Sequence, residues 1–191
     1  MQKSEMKLFL YLIQDKENAN KPFREIAEET GMSLGSVQNK MAELTARGFL
    51  VETGGKRVLR KRERLLEKWA DGYAGSNKRK LFLMRFRFLS HATRERWESI
   101  RLGDDTSWGG EPAAFLADGC LQPENWDIYV RENADCLIAT GRMIPDPEGE
   151  IFVYKQFWKG SGVPLAVVYA DLLSTDDDRC KEAAERIKEK I

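Results

Sequence analysis

A chain of 191 residues can bury the core of one large domain or of two small ones. Its start, MQKSEMKLFLYLIQ, lacks the features of a secretion signal, and no apolar run approaches the roughly 20 residues of a membrane-spanning helix, so a cytoplasmic protein with no membrane partner is expected. The zero net charge is unevenly spread: residues 1–101 hold 22 Lys and Arg against 13 Asp and Glu, and residues 102–191 hold 9 against 18. A basic half suits a polyanion such as nucleic acid, which an acidic half repels. Cys120, Cys136 and Cys180 are far apart with no CxxC pair, and His91 is the single histidine, so His-rich or paired-Cys metal sites are not expected and the thiols are read as reduced.

Residues 4–14 (SEMKLFLYLIQ) read as a mostly apolar helix that needs partners. Residues 22–30 (PFREIAEET) open with proline, suited to a first helical turn, and set Phe23, Ile26 and Ala27 on one face before Gly31. Ser33 is then a good N-cap for LGSVQNKMAELTARG, where Leu34, Val37, Met41 and Leu44 recur at helical spacing as a core stripe. The opposite face carries Gly35, Ser36, Gln38, Asn39 and Lys40, groups that permit close approach to a duplex and can donate to phosphates or base edges. Gln38 and Asn39 are the candidates for direct readout, since an amide pairs with adenine in both directions. Residues 49–59 (FLVETGGKRVL) read as two short strands around Gly54-Gly55, with Lys56 and Arg57 just past the turn.

Helix, helix, turn, helix and basic-tipped hairpin is the order of a winged helix-turn-helix, and residues 24–50 resemble bacterial winged-helix regulators. Residues 60–73 continue as an amphipathic helix with Leu65, Leu66, Trp69 and Tyr73 on one side. Its first residues, Arg60, Lys61, Arg62 and Arg64, suit flanking phosphates or a solvated face equally. GSNKRK (75–80) reads as an exposed turn before a strand-like LFLMRFRFL.

Further along, residues 126–130, 134–141, 150–154 and 164–170 read as extended, and residues 176–190 as a closing helix with acids first and lysines last. The fold class expected is α+β with two domains: a winged helix-turn-helix over 1–75, then a mixed α/β domain over 76–191 whose strand order the pattern does not give. Trp126, Phe157 and Trp158 are candidates for a partner surface, although core burial is the commoner fate.

Asp104, Asp105 and Glu111 lie within eight residues of one another, beside Trp108, Gly109 and Gly110, with Pro112 placed to begin a helix. A cation site is one reading of these carboxylates. A helix start packed with a buried Trp and close-approach glycines is the better one, because no ligand set is complete, and no metal or cofactor is expected.

Four segments carry a more specific signal: GDDTSWGGEPAA (103–114), LQPENWDIYV (121–130), IPDPEGEIFVYKQFW (144–158) and PLAVVYADLLSTDDDRCKEAAERI (164–187). Behind a winged helix they resemble the AbiEi family of antitoxins and transcription regulators of type IV toxin–antitoxin systems, with WGGEPAA and VYADLL the distinctive pieces. That resemblance implies a repressor that binds inverted repeats of operator DNA in its own operon; the symmetric half-sites of winged-helix modules suggest a dimer or two cooperating monomers, and no complete catalytic constellation points to an enzyme. The resemblance also implies opposition to a nucleotidyltransferase toxin encoded beside it, without a stable complex being required, and a part in phage defence. It leaves Asp104, Asp105, Trp108, Gly109, Gly110, Glu111, Pro112, Tyr169 and Asp171 as motif residues without an assigned role.

A solitary winged-helix regulator could share these motifs. A metal-dependent nucleic-acid enzyme is the rival class, and it fits poorly. Asp127, Glu150 and Lys155 make an acid, acid, lysine series, but the last two stand five apart and would fall on opposite faces of one strand. Gly75-Ser76 is followed by NKRK, where a nucleotidyltransferase needs metal-binding aspartates, and no phosphate-binding glycine loop occurs.

Overall fold

The computed structural model describes residues 1–191, apart from the side chain of Ser76. The chain is α+β, with ten α-helices and two sheets among the described residues. It divides into two units, Met1–Asn77 with Ile191, and Lys78–Lys190. No helix among the described residues is long and apolar enough to cross a membrane.

In the first unit, α1 (Lys3–Gln14) buries Met6, Leu8, Phe9, Leu10, Leu12 and Ile13, as its apolar run requires. A short 3-10 turn (Lys16–Asn20) leads to α2 (Phe23–Thr30), with Pro22 at its N-cap and Gly31 closing it at φ 65°. Next comes α3 (Leu34–Ala46), in which Val37, Met41 and Leu44 are buried but Leu34 is 38% exposed. The expected core stripe therefore starts one turn later, because Leu34 sits at the first helical position, where the helix has only just met the core. Strands β1 (Leu50–Thr53) and β2 (Lys56–Leu59) pair antiparallel from Leu50↔Leu59 to Thr53↔Lys56. Gly54 and Gly55 turn between them at φ 58° and 74°, the left-handed pair that matches the twist of a tight hairpin. Helix α4 (Arg62–Gly72) buries Leu65, Leu66 and Trp69 and packs on α1, where the Trp69 indole donates to Met6 O at 2.8 Å.

The second unit opens with α5 (Lys78–Leu81) and β3 (Phe82–Phe88), followed by α6 (His91–Glu95) and a 3-10 turn (Trp97–Ser99). Then come β4 (Thr106–Gly109), α7 (Gly110–Asp118), β5 (Trp126–Val130) and α8 (Asp135–Ala139). Strands β6 (Met143–Pro145) and β7 (Ile151–Lys155) precede α9 (Leu165–Leu173) and α10 (Asp178–Lys188). The sheet order is β4-β5-β7-β3-β6, antiparallel except for the parallel pair β5-β7. Strand alternation sends Trp126, Ile128, Val130, Ile151 and Val153 into one core with Phe88, Trp97 and Trp108. There Trp97, Trp108 and Trp126 meet edge-on with centroids 5.3–5.9 Å apart. Trp126, Phe157 and Trp158 are all buried, so none of them offers a partner surface.

Three sequence expectations give way here. Residues 75–80 are helical, not an exposed turn, and Lys78 is only 8% exposed. Residues 134–141 contain α8, and residues 164–170 lie in α9 and its cap. A short continuous apolar run has no period to separate a buried strand from a buried helix, and α9 is buried on nearly every side, from Ala166 to Leu172.

Candidate functional site

The exposed face of α3 is built by its cap. Ser33 Oγ accepts from Ser36 N at 3.2 Å and lies 2.8 Å from Ser36 Oγ, which fixes the first turn. Burial of Val37, Met41 and Leu44 then leaves Gly35, Ser36, Gln38 and Asn39 exposed, with nothing within 4 Å of a Cβ at Gly35. Lys40 stands apart from this row. It is half-buried, and its Nζ is held by Glu43 at 2.9 Å and Glu5 at 3.6 Å. The Glu43 hydrogen bond pushes the Lys40 ammonium above its usual range.

On the hairpin, Lys56 is exposed. Arg57 is not free: its Nε donates to Ala19 O at 2.9 Å, its Nη2 to Lys21 O at 2.6 Å, and its guanidinium lies 4.1 Å from the Phe23 ring centroid. Arg60 and Lys61 are exposed just beyond the hairpin, with Lys61 Nζ 6.0 Å from the Phe49 ring.

In the second unit the motif residues separate into two groups. Asp104 and Asp105 are exposed, and Asp105 pairs with Arg131 at 3.1 Å. Glu111 is buried in the first turn of α7, where its carboxylate accepts from Glu124 N at 2.8 Å and Asn125 Nδ2 at 2.5 Å and so ties down the loop before β5. The three carboxylates do not converge, and no group of three or more His, Cys, Asp or Glu among the described residues could hold a metal ion. Pro112 sits in the first turn of α7, where a helix needs no N–H.

Asp171 is where the motifs meet. It is 1% exposed on α9, and its carboxylate receives Lys78 Nζ at 2.8 Å, the Tyr129 hydroxyl at 2.8 and 2.9 Å, and Gly110 N at 3.2 Å. Lys78 Nζ also donates to Asp127 Oδ2 at 2.7 Å and lies 5.0 Å from the Tyr154 ring centroid. Burial pushes the Asp171 carboxyl up, opposed by the Lys78 charge, and burial also raises the Tyr154 hydroxyl. Asp127 and Tyr129 alternate with the core residues of β5, so they reach this cluster from the other face of the sheet.

Gly109 and Gly110 let the cluster close. A methyl at Gly109 would overlap the Tyr129 ring, and one at Gly110, which has φ 50°, would stand 2.8 Å from Asp127 Oδ2. Gly109→Ala is expected to lower stability by about 1–3 kcal/mol through overpacking, measured by urea denaturation, because the ring it strikes is anchored to Asp171. Tyr169, two positions before Asp171 on α9, is buried as well. Lys78 and Tyr129 were not legible as its members, since a lysine in GSNKRK carries no local mark of burial.

The nuclease-like series does not assemble. Asp127 faces Lys78, whereas Lys155 shares strand parity with Ile151 and Val153 and donates to Glu132 O at 2.7 Å.

Motif residues of the second unit thus meet in a buried ion cluster on the sheet face opposite its aromatic core. A family model described as "Transcriptional regulator, AbiEi antitoxin, Type IV TA system" matches residues 57–191, from β2 through α10. The chain belongs to the AbiEi antitoxin family, the transcriptional regulators of type IV toxin–antitoxin systems. No curated protein and no solved structure matches it.

Proposed function

We propose that residues 1–75 form a winged helix-turn-helix that binds operator DNA and represses the protein's own operon. In this reading residues 76–191 oppose a nucleotidyltransferase toxin encoded beside it. The observation that carries the DNA-binding reading is the polar row Ser36, Gln38 and Asn39, exposed on a helix whose other side, Val37, Met41 and Leu44, is locked in the core. The family match begins at Arg57, beyond α3, so this interface rests on the helix itself. Family membership supports the regulatory and antitoxin roles.

Gln38 and Asn39 read base edges in this scheme, while Ser33, Gly35 and Ser36 allow the helix to approach the backbone. Lys56, Arg60 and Lys61 supply phosphate contacts. Arg57 fixes the hairpin against the segment before α2, and Lys40 braces α3 through Glu5 and Glu43. Two copies on symmetric half-sites are the natural arrangement for such a module.

The test is binding of the full chain to its own upstream DNA against scrambled DNA of equal length, across a salt series. Preferential, salt-sensitive binding supports the reading, and equal or absent binding overturns it. Lys56→Gln should weaken binding to both DNAs alike and reduce the slope of log affinity against log salt by roughly one, since one phosphate contact and its counterion are lost.

A further inference from the structure

The end of β3 and the start of β6 carry a small basic cavity that the regulatory reading does not use. Leu89 N donates to Arg142 O at 3.0 Å and Phe88 pairs with Met143, so the backbone at Arg142 is fixed beside Ser90. On the other side, Trp97 is 4% exposed and wedged between Trp108 and Trp126, which anchors the neighbouring Arg96. Ser99 Oγ donates to Arg96 O at 2.7 Å and tightens the same turn. Between these two anchored segments lies a cavity of about 280 Å³ lined by Ser90, Thr93, Arg96, Ser99 and Arg142 together with Ala92 and Ile100.

The lining is chemically one-sided. Its lining includes two arginines and no acidic residue, and its hydroxyls are already engaged, Ser99 Oγ with Arg96 O and Ser90 with Thr93 at 2.9 Å, which leaves the arginines as its free donors. Among the described residues neither the Arg96 nor the Arg142 guanidinium has an acidic partner, whereas nearby Arg87 pairs with Asp146 at 3.1 Å and Arg131 with Asp105 at 3.1 Å. Glu95, the acid next to Arg96, faces His91 at 3.5 Å instead. Both arginines line one cavity without an acidic partner, and guanidinium forks match the oxygens of a phosphate two at a time. The volume falls just below the range of pockets that engulf whole ligands, roughly 300–1,000 Å³, which suits one or two phosphate groups with the rest of the molecule outside.

The geometry points to a phosphate-binding pocket in the second unit, held by the guanidinium groups of Arg96 and Arg142 beside the Ser90–Thr93 turn, for the phosphate end of a small ligand such as a nucleotide. It lies in a different unit from α3, so it stands or falls apart from operator binding.

The experiment is isothermal titration of the full chain with inorganic phosphate, with pyrophosphate and with ATP at constant ionic strength, repeated on Arg96→Gln, Arg142→Gln and, as a surface control, Lys80→Gln. One site is expected, with affinity reduced about tenfold or more in each arginine variant and unchanged in the control, as for loss of a charge-assisted contact. Tighter binding of ATP than of pyrophosphate identifies a nucleotide, and equal binding identifies the bare anion. Both arginines are exposed and without acidic partners, so unchanged melting temperatures should accompany the losses. Absence of saturable binding to all three probes, or binding that both arginine variants retain, overturns the proposal.

Discussion

Asp171→Ala is expected to lower the unfolding free energy by about 3–5 kcal/mol, the range for removing one partner of a buried ion pair. The cause is what remains: the Lys78 ammonium, only 11% exposed in its side chain, keeps Asp127 but loses the carboxylate at 2.8 Å. The Tyr129 hydroxyl and Gly110 N lose their acceptor in the same step. Urea denaturation of the full chain, followed by aromatic fluorescence, measures the loss. In Lys78→Met/Asp171→Ala the two losses should sum to less than their separate values, because the uncompensated charge is gone. A cost below about 1 kcal/mol for the single variant would mean that water replaces the carboxylate and that the cluster does not hold α9 to the sheet.

Gln38→Ala and Asn39→Ala are each expected to reduce discrimination between operator and scrambled DNA by about tenfold or more, the worth of one amide pairing with a base edge. Both side chains are exposed on a helix whose packing lies on its other face, so protein stability should stay within about 0.5 kcal/mol of the parent. The salt slope should also hold, because no phosphate contact is removed. That pattern separates base readers from Lys56, whose loss lowers affinity for every sequence. If both amides can be removed with the operator preference intact, α3 does not read bases, and the specificity belongs to the hairpin or to DNA shape.

Chain-local signals carried the first unit well. The Ser33 cap, the Gly54-Gly55 turn and the buried side of α4 all depend on residues within a few positions of one another. They failed where the environment decides conformation. PLAVVYA is apolar throughout and contains two adjacent β-branched residues, which favours a strand reading, yet it forms α9 because it is enclosed by α7, α10 and the sheet. In α8 the stretch Leu137-Ile138 looked extended, but one side chain is buried and the other is 47% exposed on a single helical turn.

The sequence by itself determined the charge division between the halves, the polar row on α3, the hairpin turn and the four segments that carry the family resemblance. Each is a property of neighbours along the chain: periodicity, a cap, a left-handed glycine or a run of residue types. Only the tertiary structure decided what the motif residues do together. Lys78, Gly110, Asp127, Tyr129 and Asp171 span 94 positions of the chain and meet because β5, α7 and α9 converge. Tertiary structure likewise freed Lys56 and held Arg57, although the two are adjacent, because successive residues of a strand point to opposite faces and only one of those faces packs against the segment before α2.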